Sequence, residues 1–310
     1  MKKHYKFIIA AVLLFVIVEL VLRKGFGFCD TVLMQESKNY EYIAQPNQER
    51  YRFGSYIAYN NVSMRSEAVD SSSTKILCFG DSVINGGVLT DQDALATTML
   101  SNEFSEIYNK NVQFLNISAG SWGPDNCYAY LREKGDFDAQ MFILFVSSHD
   151  AYDNMEFDKV VDSLASFPSQ QYALAGYELW DRYLSPRIKS ILKKREKKNF
   201  DNLGINKKKD FSKLNTGFQN FNTYCKENNI PFMIYLHAEK GELNIGKYNQ
   251  QGQQIIGFAQ ENDIPLITDL DSGLEASDFH DVIHLNEKGQ KNIFLNVLKT
   301  IRAKRFRFLE

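Results

Sequence analysis

Three residues at opposite ends of the chain have side chains that could cooperate in acyl transfer: Ser82, Asp281 and His284. Ser82 closes the stretch Lys75-Ile76-Leu77-Cys78-Phe79-Gly80-Asp81-Ser82, an apolar run that breaks at Gly-Asp-Ser. A serine hydroxyl is a weak nucleophile at neutral pH. It needs a general base within hydrogen-bond reach, and the base needs a group to orient it. The stretch Asp281-Val282-Ile283-His284 offers both, because a spacing of three lets one loop deliver a carboxylate and an imidazole together. In this reading Ser82 is the nucleophile, His284 the base and Asp281 the orienting carboxylate. Each short motif is commonplace alone, and the weight lies in their combination.

Acyl transfer also needs donors for the developing oxyanion. The backbone amide of Ser82 is one candidate. Gly120, Ser121 and Gly123 form a second group after another apolar run, where glycine allows a backbone N–H to approach a substrate closely. Spacing does not choose among the three. A third apolar run ends in Ser147-Ser148-His149-Asp150, where His149 could donate from a ring nitrogen. His237 ends a fourth run and reads as structural, with lining of the cleft as the alternative. Trp122 reads as a buried turn anchor, with stacking on a sugar ring as the alternative. The five histidines lack zinc-type spacing, and neither a Walker A loop nor a Gly-x-Ser-x-Gly elbow occurs. The expectation is chemistry without metal or cofactor.

The elements that must position these residues are legible as apolar runs at 75–80, 112–117, 141–146, 232–236 and 264–268, separated by amphipathic stretches at 92–107, 123–134, 211–228 and 247–262, with a last helix over 287–305. Near-continuous apolar strands alternating with helices predict a parallel α/β sheet covered on both faces, and such sheets place ligand sites at the carboxyl ends of their strands. The stretch 155–210 interrupts the alternation and reads as a helical insertion near the active-site end. It carries a basic run from Lys189 to Lys198 and then Lys207-Lys208-Lys209. A solvated helix face is the simple explanation, and contact with anionic head groups or an acidic polysaccharide the functional one. Arg302, Lys304, Arg305 and Arg307 carry the same two readings.

The amino terminus is of another kind. Lys2, Lys3 and Lys6 precede an apolar block from Phe7 to Leu22, which Arg23 and Lys24 close. Sixteen helical residues span about 24 Å, against about 30 Å of hydrocarbon, and flanking cations that snorkel make up the difference. No small-x-small site follows, which favours an uncleaved signal anchor over a removed signal peptide. Glu19 interrupts the block and belongs near its outer interface. The expected organisation is a cytoplasmic tip and anchor over 1–24, a juxtamembrane segment with short strands over 25–73, and an extracytoplasmic domain over 74–310. A net charge of −2 over 310 residues shows no bias toward nucleic acid. The four cysteines have no pair spacing, which leaves bridges open.

In order, the blocks Gly80-Asp81-Ser82, the glycines of 120–123, Ser147-Ser148-His149-Asp150 and Asp281-Val282-Ile283-His284 resemble the SGNH or GDSL hydrolase superfamily. The resemblance covers about 75–290. The third block departs, with Ser147 where the family has glycine and His149 where it has an asparagine donor. The resemblance implies a flavodoxin-like three-layer sandwich with a five-stranded parallel sheet, plus the N-terminal transmembrane helix, and esterase chemistry through Ser82, His284 and Asp281. With the anchor, it also implies a membrane enzyme that removes O-acyl groups, acetyl foremost, from an exported glycan. An O-acetyltransferase using the same triad is the first alternative, and a non-catalytic glycan-binding or assembly subunit the second. The partners expected are an acylated polysaccharide, the lipid bilayer and polysaccharide-assembly proteins.

Overall fold

The computed structural model of the chain describes residues 2–193 and 213–304. The basic run beyond Lys193, Lys207-Lys208-Lys209, Arg305 and Arg307 lie outside the described residues. The chain opens with helix α1 (Lys2–Phe26). Two antiparallel hairpins follow, β1 (Met34–Ser37) with β2 (Glu41–Ala44) and β3 (Gln48–Arg52) with β4 (Ser55–Tyr59). Then come β5 (Thr74–Gly80), α2 (Ser82–Asn85), α3 (Ala96–Tyr108), β6 (Val112–Ser118), α4 (Pro124–Lys134) and β7 (Met141–Ser147). After α5 (Ala175–Glu178) and α6 (Ser185–Lys193), the fold is completed by α7 (Thr216–Asn228), β8 (Phe232–His237), α8 (Lys240–Ile245), α9 (Gln250–Glu261), β9 (Leu266–Thr268) and α10 (Glu287–Lys304).

Strands β5 to β9 form a five-stranded sheet in the order β6-β5-β7-β8-β9, parallel at every pairing. This is the flavodoxin-like order, with its switch point between the first and third strands. Every residue of β6, β7 and β8 is buried, which is why their sequences are apolar runs rather than alternations. The crossover through α3 runs one way from β5 and that through α4 runs back, so right-handed connections put these helices on opposite faces. There α3 packs with α10 and α4 with α7. Ring contacts of Phe79 with Phe142 and Phe221 fill the space beneath α7.

The two hairpins are built into this core. Tyr40, Tyr42, Ile43, Ile57 and Tyr59 are buried in it, and Trp122 is buried as a turn anchor whose indole N–H donates to the Tyr42 carbonyl at 2.9 Å. Arg65, fully buried, donates to the carbonyls of Asn85, Gly87 and Thr90, where the loop after α2 would otherwise leave them orphaned. All four cysteines are free thiols, three of them buried.

Helix α1 contains Tyr5–Phe26, 22 residues of mean hydropathy 2.6, long and apolar enough to cross a membrane, with the whole apolar stretch uncovered by protein. It stops at Gly27, whose φ of +70° and contact with the Tyr51 carbonyl leave no place for a Cβ. The Phe28 amide bonds back to the Leu22 carbonyl, closing the helix end.

The insertion departs from expectation in its first half. Residues 155–174 are not helical: 155–160 are irregular, and turns and bends follow from 161, where Ser163, Ser166, Pro168 and Ser169 supply turn chemistry and Asp162 accepts from the Ser169 amide and hydroxyl at 2.7 Å each. Helix begins only at Ala175 and continues without a break through a π-helical stretch, Leu179–Leu184, into α6. The wide turns end at Leu184, and α6 carries Pro186 in its first turn, where a missing N–H is tolerated.

One ion pair joins hairpin to insertion. Arg52 Nη2 meets Glu178 Oε1 at 2.6 Å, both side chains almost wholly buried, and Glu178 also accepts from Arg182 and from the Cys29 amide. Replacing Arg52 by Met strands a buried carboxylate. We expect Arg52→Met to cost about 3–5 kcal/mol in denaturant unfolding, and Glu178→Gln alone to cost less.

Candidate active site

The position of Ser82 is set by how β5 ends. A Cβ on Gly80 would stand 2.8 Å from both the Phe145 carbonyl and the Ile84 side chain, so only glycine lets β5 run this close to β7. Asp81 then caps α2, its carboxylate accepting from the Val83 amide at 2.8 Å. Ser82 is the first residue of that helix and projects beyond the carboxyl edge of the sheet.

The loop before α10 brings the partners to it. His284 Nε2 lies 3.0 Å from Ser82 Oγ, and His284 Nδ1 lies 2.7 Å from Asp281 Oδ2. The other Asp281 oxygen accepts from the Ile283 and His284 amides at 2.9 and 2.8 Å, which stiffens the loop around the carboxylate. Partial burial pushes the Asp281 carboxyl up, but the His284 ring and these two amides outweigh it and hold it at about 2. The His284 and Asp281 side chains are 44% and 52% exposed, so the pair sits at an open surface.

A second, buried pair fastens this loop from below. His237, at the end of β8, places Nδ1 2.5 Å from Asp269 Oδ2 and donates from Nε2 to the Ile283 carbonyl at 2.9 Å. Burial alone would lower its pKa, but the Asp269 carboxylate and the Ile283 carbonyl reverse that and raise it. Each ring nitrogen thus faces an acceptor. Asp269 also accepts from the Ala238 amide, and the Lys240 amide donates to the Val282 carbonyl. The structural reading of His237 thus holds, and the ring bears directly on the placement of His284.

His149 sits in a 3-10 turn, Ser148–Ala151, that follows β7. Its Nδ1 lies 3.2 Å from Glu239 Oε1, while Nε2 faces Asp150 at 3.5 Å and Asp81 at 3.9 Å. Burial opposes the charge, yet Asp150, Glu239 and Asp81 together raise the pKa of the ring to about 10. His149 is therefore an imidazolium beside the residue that precedes Ser82. Burial in turn pushes Asp81 and Asp150 up, with His149 pulling both back. Asp81, His149 and Asp150 have donor atoms within 4.8 Å of one another and could hold a cation. Glu239 was invisible to sequence reasoning, since a lone glutamate after a strand carries no signal.

The candidate donor amides separate clearly. The Gly123 amide donates to Asn126 Oδ1 at 2.9 Å and begins α4, and a Cβ there would strike the Asp153 carbonyl at 2.1 Å. Gly123 is thus corrected from oxyanion donor to helix cap. The amides of Ser82, Gly120 and Ser121 have no protein acceptor among the described residues. Beside Gly120 lies a cavity of about 150 Å³ walled by Val32, Met34, Val88, Ala119 and Phe167.

No family model and no curated protein matches this chain. Solved structures similar to it include a lipase/acylhydrolase from Enterococcus faecalis, 12% identical, covering 74% of this chain and 96% of that one with a TM-score of 0.42. A carbohydrate acetylesterase family member from Sinorhizobium meliloti is 9% identical, covering 74% and 98%, with a TM-score of 0.41. An acetyl xylan esterase from Geobacillus stearothermophilus is 13% identical, covering 75% and 97%, with a TM-score of 0.40. The functional reading rests on the geometry of the site itself.

Proposed function

We propose that this chain is a membrane-anchored serine esterase that removes short O-acyl groups, acetyl foremost, from an extracytoplasmic glycan. The observation that carries the reading is the unbroken chain from Asp281 through His284 to Ser82, at 2.7 and 3.0 Å. Ser82 Oγ attacks the ester carbonyl as His284 Nε2 takes its proton. His284 returns that proton to the departing sugar oxygen, leaving an acyl-enzyme. Water then attacks, again giving its proton to His284, and the carboxylate product leaves with Ser82 restored. Asp281 stays ionised throughout and holds the imidazole in register.

The tetrahedral oxyanion would be met by the amides of Ser82 and of Gly120 or Ser121, each worth about 2.7–4 kcal/mol in such sites. The His149 imidazolium adds positive charge where an asparagine would offer only a dipole. The cavity beside Gly120, of about 150 Å³ and partly apolar, is large enough for a short acyl group. An exposed His284–Asp281 pair suits a polymeric substrate and leaves water free to act as acceptor. That openness favours hydrolysis over transfer to a sugar hydroxyl, which requires water to be excluded. Lys2, Lys3 and Lys6 in the first turns of α1 support a cytoplasmic amino terminus and an exported domain.

With p-nitrophenyl acetate as substrate, Ser82→Ala should lose about 10⁴–10⁶-fold in kcat and escape labelling by a fluorophosphonate. Turnover no greater in the wild type than in this variant sinks the esterase reading.

Activity corrected for spontaneous hydrolysis should fall as pH rises through about 10, where His149 loses its charge. His149→Ala should lower kcat by about 10²–10³-fold, while His149→Asn retains most of it and lacks the alkaline loss. A series of p-nitrophenyl esters should show kcat/KM for acetate exceeding that for octanoate by at least about tenfold. Equal rates along the series would remove the short-acyl assignment.

A further inference from the structure

The insertion helix running through 175–193 carries an apolar stripe that the described residues leave about half exposed. Leu174, Tyr177, Trp180, Leu184 and Ile188 follow one another at helical spacing and are between 40% and 57% exposed. Contiguous exposed apolar faces of this kind mark a contact surface. The stripe cannot turn inward, because the opposite face is locked. Ala175 and Glu178 are fully buried, and the Glu178 carboxylate is held by Arg52, Arg182 and the Cys29 amide.

The start of this helix is joined to α1. The two oxygens of Glu19 accept from the Ala175 and Gly176 amides at 2.7 and 3.1 Å, and Arg23 Nη2 donates to the Ala173 carbonyl at 2.6 Å. The odd carboxylate in the apolar block therefore caps the amino-terminal end of α5, where unpaired N–H groups and the helix dipole favour a negative charge. Glu19 precedes the end of α1 by two turns, about 10 Å along its axis. If α1 spans a bilayer, the insertion helix begins at the level where hydrocarbon meets head groups. Tyr177 and Trp180 are the residue types that settle at that level, and the exposed Arg187 and Lys189 flank the stripe with charges complementary to anionic lipid.

We propose that the helix through 175–193 is a second membrane contact, lying in the outer interface with Tyr177, Trp180, Leu184 and Ile188 against the lipid. The inference rests on the anchor reading of α1 given above. With two points of attachment, the domain cannot swing freely on its anchor, and the cleft at Ser82 is held in one orientation to the surface.

The test uses the full chain reconstituted into phosphatidylcholine–phosphatidylglycerol vesicles. The chain has two tryptophans, Trp122 buried and Trp180 exposed, so subtracting the emission of a Trp180→Phe variant isolates Trp180. Acyl-chain-brominated lipid should quench that signal, and its Stern–Volmer constant with iodide should be at least about threefold lower than for the protein in a vesicle-free amphipol. Leu184→Glu with Ile188→Glu should restore iodide access while the chain stays with the vesicles on carbonate washing. Retention on washing with Trp180 freely quenched by iodide overturns the proposal and spares the anchor. Loss on washing overturns both. Shielding from iodide without quenching by brominated lipid assigns the stripe to a protein contact instead and also overturns it.

Discussion

The pairing of β5 with both β6 and β7 is the constraint on which the rest of this structure depends. A strand paired on both sides in a parallel sheet is dry on both faces and must leave the sheet at its carboxyl edge. Gly80 makes that exit possible by allowing β5 to close on the Phe145 carbonyl without a side chain between them. Ser82 and His149 then emerge from neighbouring strands, and the turn capped by Asp81 packs beside the turn after β7. The same edge receives the loop before α10, so residues from both ends of the chain meet without either end being strained.

Charge at this edge is balanced in two tiers. In the upper tier Asp281 is exposed, and directed hydrogen bonds rather than burial keep it ionised. In the lower tier Asp269, Asp81 and Asp150 are buried beside the rings of His237 and His149, and burial pushes the Asp81 and Asp150 carboxyls up. His237 bonds through both nitrogens, so it transmits the position of Asp269 to the backbone next to His284. His149 stands 3.5 Å or more from its two buried carboxylates and bonds more closely to Glu239. His149 thus has carboxylates on three sides, where His237 bonds one carboxylate and one backbone carbonyl.

The segment ahead of the α/β domain takes part in the same architecture. Arg65 ties the loop after α2 to the segment that leads into β5, and Arg52 ties the second hairpin to the insertion through Glu178. Hydrogen bonds and one buried ion pair thus join α1, the second hairpin and the 175–193 helix.

The five strands were legible as apolar runs because burial on both faces removes the need for polar residues, and the boundaries differ by only a residue or two from the runs themselves. Ser82, Asp281 and His284 were legible as candidates because a nucleophile, a base and a carboxylate have few substitutes, and Ser82 follows directly on an apolar strand run. The turns over 155–174 were not, since Ser-rich and Pro-containing stretches form turns or helix according to what they pack against. Nor was the role of Gly123, because a glycine that donates to a ligand and one that caps a helix look alike in one dimension. The sequence by itself determined the sheet, its covering helices, the apolar amino-terminal helix and the candidates Ser82, Asp281 and His284, all through patterns that repeat locally along the chain. Tertiary structure alone decided which amides stay free, that Glu239, Asp150 and Asp81 surround His149, that Asp269 pairs with His237, and that Glu19 caps a helix from the distant insertion. Those facts depend on distances across the fold between residues whose spacing in sequence carries no trace of their contact.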